Sequence, residues 1–440
     1  MLVIISDLHL TDGSTCETID AGAFRQFVDT LSDQAESACW RQKTGHDNGV
    51  FEPLERVDVI LLGDILDVIR SSQWLQTRVR PWDAVDTLAD TVTAITRRIL
   101  AHNHTALACF RDLNGLLPIV ASHTKQQHQI PVFFHYLVGN HDWFYHLPGP
   151  AWTALRAEIK TAMALANNPS DIFPHELKEN AGIAELCARH RVHLQHGDIF
   201  DAMNYQKDKG RDASSLGDAI VIEVLNGFPE RVRRELNLDD RHPLYLAFKE
   251  ADNIRPLLSL PDYFALSSHY FATPSQRKKI QALWTQASDP LLDLAFVKSL
   301  DKPWEIDTVD VLQAMFALQK NLPMAVQGQL ARFVERFMKP ESYRQQAAAI
   351  PGIKSAETDF VVYGHTHHAE MVPLAVRNKQ GIRHEQVYFN TGTWRRIHER
   401  TQTMFNGFPF IHFHVMSYAF FYQGDERFGR RHELWQGSLG

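Results

Sequence analysis

The chain has 440 residues, 44% of them hydrophobic and 22% charged. That is enough apolar content to bury a large core, which excludes a disordered chain and calls for one large domain with an insertion or for two domains. The net charge of −7 supplies no overall basic face, so nucleic acid is admissible as a partner but not favoured.

In chain order, the apolar run Leu2 to Ile5 reads as a buried strand that ends in Ser6-Asp7-Leu8-His9-Leu10. No positively charged leader accompanies it, and no apolar stretch approaches the roughly 20 residues of a membrane helix, so a cytoplasmic protein without a membrane span is expected. Phe24, Phe27, Val28 and Leu31 keep the spacing of one helix face. The polar stretch from about Cys39 to Pro53 reads as a surface loop. The next strand, Val57 to Leu62, runs into Gly63-Asp64-Ile65-Leu66-Asp67, and Val85, Leu88, Val92 and Ile95 mark a second helix stripe.

A third strand, Val132 to Val138, ends in Gly139-Asn140-His141-Asp142. Trp143, Tyr145 and His146 follow and, like His368, read as packing residues. Asn167 to Pro174 reads as loop, and Val192 to Gln195 leads to His196-Gly197-Asp198. From about Ser214 to Ile350 helical periodicity dominates, with stripes at Val311, Leu312, Met315 and Phe316 and at Leu330, Phe333, Val334, Phe337 and Met338, closed by Pro340. The expectation is a mostly helical insertion, 214–350, set into a core made of 1–213 and 351–440. Asp359 to Tyr363 is a further strand, before Gly364-His365-Thr366-His367. Strands alternating with helices indicate an α/β layered fold. His412 and His414 alternate within Phe410 to Val415 and read as one face of a strand. The four cysteines, Cys16, Cys39, Cys109 and Cys187, are widely spaced and read as reduced thiols.

The five polar clusters each follow a strand, so their side chains gather at strand ends. They offer oxygen and nitrogen donors without a thiolate, a set that suits manganese, iron or zinc pairs. In an extended backbone the alternation in Asp7-x-His9 and His365-x-His367 points both side chains of a pair to one side. Glycine before Asp64, Asn140 and His365 permits the sharp turns of a crowded site. Each cluster alone is a weak signal; five in this order are a strong one.

Taken together, D-x-H, G-D-x-x-D, G-N-H-D, a histidine cluster and G-H-x-H resemble the ordered signature of the calcineurin-like metallophosphoesterase superfamily, over Met1 to about Phe200 and again over about Asp359 to Trp394. The resemblance implies a four-layer αββα sandwich of two mixed sheets flanked by helices. It implies two divalent metal ions, manganese first, with iron, zinc or nickel as alternatives. Asp7, His9 and His367 would hold the first ion and Asn140, His196 and His365 the second, with Asp64 bridging. A water acidified between them would supply a hydroxide to attack a phosphate ester, diester or anhydride. His141 would act on the phosphate or the leaving oxygen, with Asp142 as the acidic partner that orients it. Asp67 and Asp198 are candidates for carboxylates behind the ligands or for helix caps, and Arg395 or Arg396 for phosphate contacts.

The expected partner is a small or medium phosphorylated substrate. A nuclease of the same superfamily is the enzymatic alternative, and a binding scaffold without catalysis is the alternative from another class. Protein Ser/Thr phosphatases of the superfamily continue the second motif as G-D-x-V-D-R-G, whereas Asp67 is followed here by Val68-Ile69-Arg70. The bacterial UDP-diacylglucosamine pyrophosphohydrolases carry arginine where His141 stands.

Overall fold

The structure is a computed structural model that describes residues 1–43, 46–83, 85–255, 260–301, 309, 313, 341–401 and 409–438. The predicted stripes at Val311 to Phe316 and Leu330 to Met338, with Pro340, lie outside the described residues.

Two mixed sheets lie face to face. The larger runs in the order Leu116–Val120, Gln127–Leu137, Val57–Leu62, Leu2–Ile5, Phe410–Phe421, Arg396–Arg400, Ile254–Arg255, with His432–Ser438 also pairing with Phe410–Phe421. The smaller runs Ala369–Lys379, Ile382–Thr391, Phe360–Tyr363, Val192–Leu194. In the larger sheet Leu2–Ile5 is parallel to Val57–Leu62, which is parallel to Gln127–Leu137. In the smaller, Phe360–Tyr363 is parallel to both of its neighbours. Leu2–Ile5, Val57–Leu62 and Phe360–Tyr363 are buried at every position, as expected of strands covered on both faces.

Side-chain alternation sorts the layers. Leu2, Ile4, Ile60 and Leu62 point inward against Leu194, Phe360, Val362 and Phe389 of the other sheet. Val3, Ile5, Val59 and Leu61 point outward into a core shared with Phe24, Phe27, Leu31, Val92 and Ile99 of the covering helices. Val361 and Tyr363 face outward from the smaller sheet against Ala347 and Ile353. The order is therefore helix, sheet, sheet, helix: an αββα sandwich.

Asp20 caps the helix Ala21–Ala38 through the Gly22 N–H, and the buried face is the predicted one, with Val28 at its margin. The helix Leu88–His102 starts later than its stripe: Val85 precedes it and is exposed. Cys39 to Pro53 is not an open loop. It carries an antiparallel ribbon of Trp40–Lys43 and His46–Phe51, in which the Trp40 ring stands edge-on to Phe51 and stacks on Phe428. Those aromatic anchors give a polar stretch something to bury. Cys16, Cys39 and Cys187 are buried free thiols and Cys109 is half-buried.

Within 214–301 the described chain is largely helical, including Phe228–Leu236, Pro243–Lys249 and Pro274–Asp293. Phe228, Phe248 and Trp284 pack into the same core as the outer face of the larger sheet. The segment also adds a strand, Ile254–Arg255, parallel to Arg396–Arg400. None of the helices searched among the described residues is long and apolar enough to cross a membrane.

The helix Ala181–Arg189 ends at His190, which is 5% exposed, with Nδ1 donating to the Leu186 carbonyl. Burial, with the chain's amino group nearby, pushes this imidazole down to about 4. It is neutral in the folded state and protonates in the unfolded chain below about 6.5. Its stabilisation is therefore complete above pH ~6.5 and lost as pH falls towards 4, a swing of about 3 kcal/mol. Urea unfolding across that range should show a smaller acid loss in His190→Gln than in the wild type; equal losses would contradict this.

Candidate metal centre

The five clusters converge beyond the ends of the parallel strands, between the two sheets. Three groups of donor atoms close enough for a shared cation come together there: Asp7, His9 and His367; His9, Asp64 and His141; Asp64, His196 and His365. The backbone achieves this by kinks. Asp7 (φ 53°), His9 (44°), Asp64 (54°), His365 (67°) and His367 (63°) all adopt the left-handed conformation. The extended alternation expected of Asp7-x-His9 and His365-x-His367 is thus replaced by two left-handed turns. That conformation costs about 1–2 kcal/mol for each ordinary residue, and strain of this kind concentrates at functional sites. The fully buried strands behind these residues hold them in place.

Gly139 shows how tight the packing is. A Cβ there would lie 2.3 Å from Asp64 Oδ1 and 2.8 Å from His196 Nε2. At Gly364 a Cβ would lie 2.5 Å from Asp7 Oδ2. Asn390 holds the Gly364 turn through that residue's carbonyl (2.7 Å), and Thr393 Oγ1 donates to the Asp7 carbonyl (2.6 Å).

Hydrogen bonding fixes which nitrogens face inward. His196 Nδ1 lies 2.9 Å from the Leu62 carbonyl, which can only accept, so Nδ1 carries the proton. Its Nε2 is buried, without a hydrogen-bond partner among the described residues, and lies 3.2 Å from Asp64 Oδ2. His9 Nδ1 is bound to Asp67 Oδ2 at 2.9 Å. Its Nε2 faces His367 Nε2 at 2.9 Å, Asp64 Oδ2 at 3.6 Å and Asp7 Oδ1 at 3.8 Å. His365 Nδ1 is 2.9 Å from Asn140 Oδ1, and its Nε2 is 3.0 Å from Asp201 Oδ2. Lone pairs and carboxylate oxygens facing one another at these distances need a positive charge between them. The donor set, imidazole and carboxylate with one amide oxygen, fits divalent transition ions.

The field around Asp64 has the same sign, whereas at His367 burial and the Arg255 guanidinium hold the imidazole's pKa well below its ordinary value. Burial opposes charge on His196, but Asp64 and Asp7 outweigh it and carry its pKa up to about 10. Burial is likewise outweighed at His9, where the bonds to Asp67 and Asp7 raise the pKa. Asp64 stays ionised against its burial because His196 and His141 hold its pKa well down. Protons and metal ions compete for such nitrogens, so cation uptake releases protons and weakens on acidification.

His141 sits beside this group, with its ring edge-on to His9 at 4.7 Å between centroids. Its backbone N–H donates to Asp64 Oδ1 (2.8 Å), and Nδ1 donates to Asp67 Oδ1 (2.8 Å). The ring is therefore oriented by Asp67, not by Asp142 as the motif suggested. The Asp142 carboxylate is engaged elsewhere, accepting from Gly139 N (2.6 Å), Ile65 N (2.9 Å) and Tyr136 OH (2.6 Å). It ties the Asn140 turn to the Asp64 turn. Burial disfavours charge on His141, but Asp67 and Asp64 raise its pKa well above the ordinary value. Asp198 pairs with Arg211, not with a ligand of the centre.

Two residues with no motif around them, Arg255 and Asp201, also touch the site, and the predicted Arg395 and the buried Arg70 are bonded to other residues. Arg255, from the added strand, lies against the His367 ring with Nη2 3.1 Å from Nε2. Arg395 donates to Asp252 Oδ2 (3.1 Å), and Arg70, fully buried, donates to Asn226 Oδ1 (3.1 Å). Asp201 holds His365. Arg255 and Asp201 gave no sequence signal, since no strand-to-glycine turn precedes them. Arg396, the other candidate for phosphate contact, is half-buried at the start of the strand Arg396–Arg400. Compared with protein-family models and with curated proteins, the chain matches none.

Proposed function

We propose that the chain is a dinuclear-metal phosphohydrolase of the calcineurin-like type, cleaving a phosphate ester, diester or anhydride of a small or medium substrate in the cytoplasm. The observation that carries the reading is the place of Asp64 between two donor sets: its Oδ2 lies 3.6 Å from His9 Nε2, which groups with Asp7 and His367, and 3.2 Å from His196 Nε2, which groups with His365. Asn140, through its contact with His365, belongs to the second set. When bound, two divalent ions, manganese first among the options, activate water and neutralise charge at the reacting phosphoryl group.

The chain's own residues supply the rest. With Nδ1 committed to Asp67, His141 has Nε2 as its remaining donor, and the Asp67 and Asp64 carboxylates favour its protonated form. It is suited to protonate a leaving oxygen or to bind a phosphoryl oxygen. Arg255, beside His367, offers guanidinium N–H groups to the anionic substrate. Asp67 serves both rings, so it sets the position of the acid relative to the His9 side of the centre.

The test is a panel of phosphomonoesters, diesters, cyclic nucleotides and nucleotide anhydrides, run on metal-stripped protein resupplied with Mn, Ni, Fe, Zn or Mg. Hydrolysis that returns only with a transition ion supports the reading. No turnover of any class with any ion, in protein shown to hold two ions, would sink it and leave a binding scaffold.

A further inference from the structure

A second histidine–carboxylate cluster lies outside the centre just described. It is made by His146, at the end of the turn Trp143–His146, by His175, just after the loop Asn167 to Pro174, and by Asp212. One donor atom from each lies within 4.8 Å of the others. His146 Nδ1 is 2.7 Å and His175 Nε2 3.1 Å from the same oxygen, Asp212 Oδ1, with ring centroids 4.3 Å apart. We infer that these three residues form a third, independent metal site, for a zinc-like divalent ion held by two imidazole nitrogens and one carboxylate.

The alternative is two imidazoles donating N–H to one carboxylate, and the outer nitrogen of His146, which faces a carboxylate, argues against it. His146 Nε2 and His175 Nδ1 are buried and have no hydrogen-bond partner among the described residues. If the protons pointed inward, both outer nitrogens would be bare buried acceptors. With the protons outward, the inner lone pairs converge on a carboxylate oxygen, an arrangement that a cation completes, while the His175 Nδ1–H is a buried donor without a partner among the described residues. The outward proton of His146 then points at Glu179 Oε2, 3.5 Å away. That carboxylate is itself fixed by the backbone N–H groups of His175 (2.8 Å) and Glu176 (3.2 Å). A carboxylate behind a ligating histidine is the usual way of setting its tautomer and raising its basicity.

Charge agrees. Arg211, the cation next in sequence, is engaged by Asp198, so Asp212 and Glu179 leave the cluster net negative. His175 is 3% exposed, whereas the Asp212 side chain is 42% exposed. The site therefore has an open side, which suits three protein ligands with a fourth position for water. Such an ion would tie together the turn after Asp142, the loop before His175 and the loop carrying Arg211. All three flank the main centre, and Arg211 bonds both Asp198 and the His175 carbonyl.

The experiment is elemental analysis of full-length protein equilibrated with zinc and dialysed, comparing wild type, Asp212→Ala, His146→Gln and Asp64→Asn. Asp212→Ala removes a partly exposed side chain, so folding should survive, and circular dichroism checks it. The inference predicts that Asp212→Ala and His146→Gln each lose about one equivalent of zinc relative to wild type. It also predicts that Asp64→Asn keeps about one equivalent, which Asp64→Asn/Asp212→Ala loses. Unchanged zinc in both single variants would overturn the third site, whatever the panel shows about hydrolysis. Zinc lost entirely from Asp64→Asn while Asp212 is intact would do the same.

Discussion

Replacing Asp64 by Asn should empty both ion positions of the main centre and reduce turnover on the order of 10³-fold. Asp64 is 1% exposed, and its Oδ2 stands 3.6 Å from His9 Nε2 and 3.2 Å from His196 Nε2. Two divalent ions about 4 Å apart repel each other on the order of 15 kcal/mol even at an effective dielectric constant of 20. A shared carboxylate offsets more of that repulsion than any ligand on one side, and an amide of the same shape removes the charge. The backbone should tolerate the change, because Asp64 has φ 54° and asparagine adopts the left-handed region readily. The variant should therefore be folded and metal-poor, whereas His367→Asn should deplete one position and spare the other. Elemental analysis beside circular dichroism checks this, and full occupancy in folded Asp64→Asn would remove the residue from the bridge.

His141→Gln should do the reverse: keep the ions and lower turnover by about 10²–10⁴-fold. The backbone N–H that supports Asp64 is retained, and His9 still occupies Asp67, so the metal side of the site is little disturbed. If the imidazolium protonates the leaving oxygen, alkyl esters should suffer more than nitrophenyl esters, whose leaving group needs no proton. Equal losses on both would assign His141 to charge stabilisation at phosphorus. Unchanged turnover with both ions bound would remove it from the reaction.

Much of the fold could be read from the chain because its inner strands are covered on both faces. Leu2–Ile5 is an unbroken apolar run and Val57–Leu62 is interrupted only by Asp58; both stop where the polar cluster begins, so their bounds were visible. The candidate donors stood out for a related reason: each comes just after a mostly apolar strand. How they converge was not readable. Periodicity describes regular backbone, and five of the candidate donors sit in left-handed turns that break it. The partner of His141 was misassigned because adjacency in sequence favoured Asp142, whereas the Asp64 turn brings Asp67 beneath two rings at once. Arg255 and Asp201 were invisible because they enter from segments whose local pattern announces only helix or loop. The ribbon at Trp40 was hidden by its polar composition, since its anchor Phe428 lies far along the chain.

The most direct test of the shared-carboxylate centre is anomalous diffraction from crystals of the wild-type protein loaded with manganese. Two peaks about 3.5–4 Å apart, one on the His9 and His367 side of Asp64 and one on the His196 and His365 side, are the predicted result. A single peak away from Asp64, or none among these residues in manganese-saturated crystals, would contradict it.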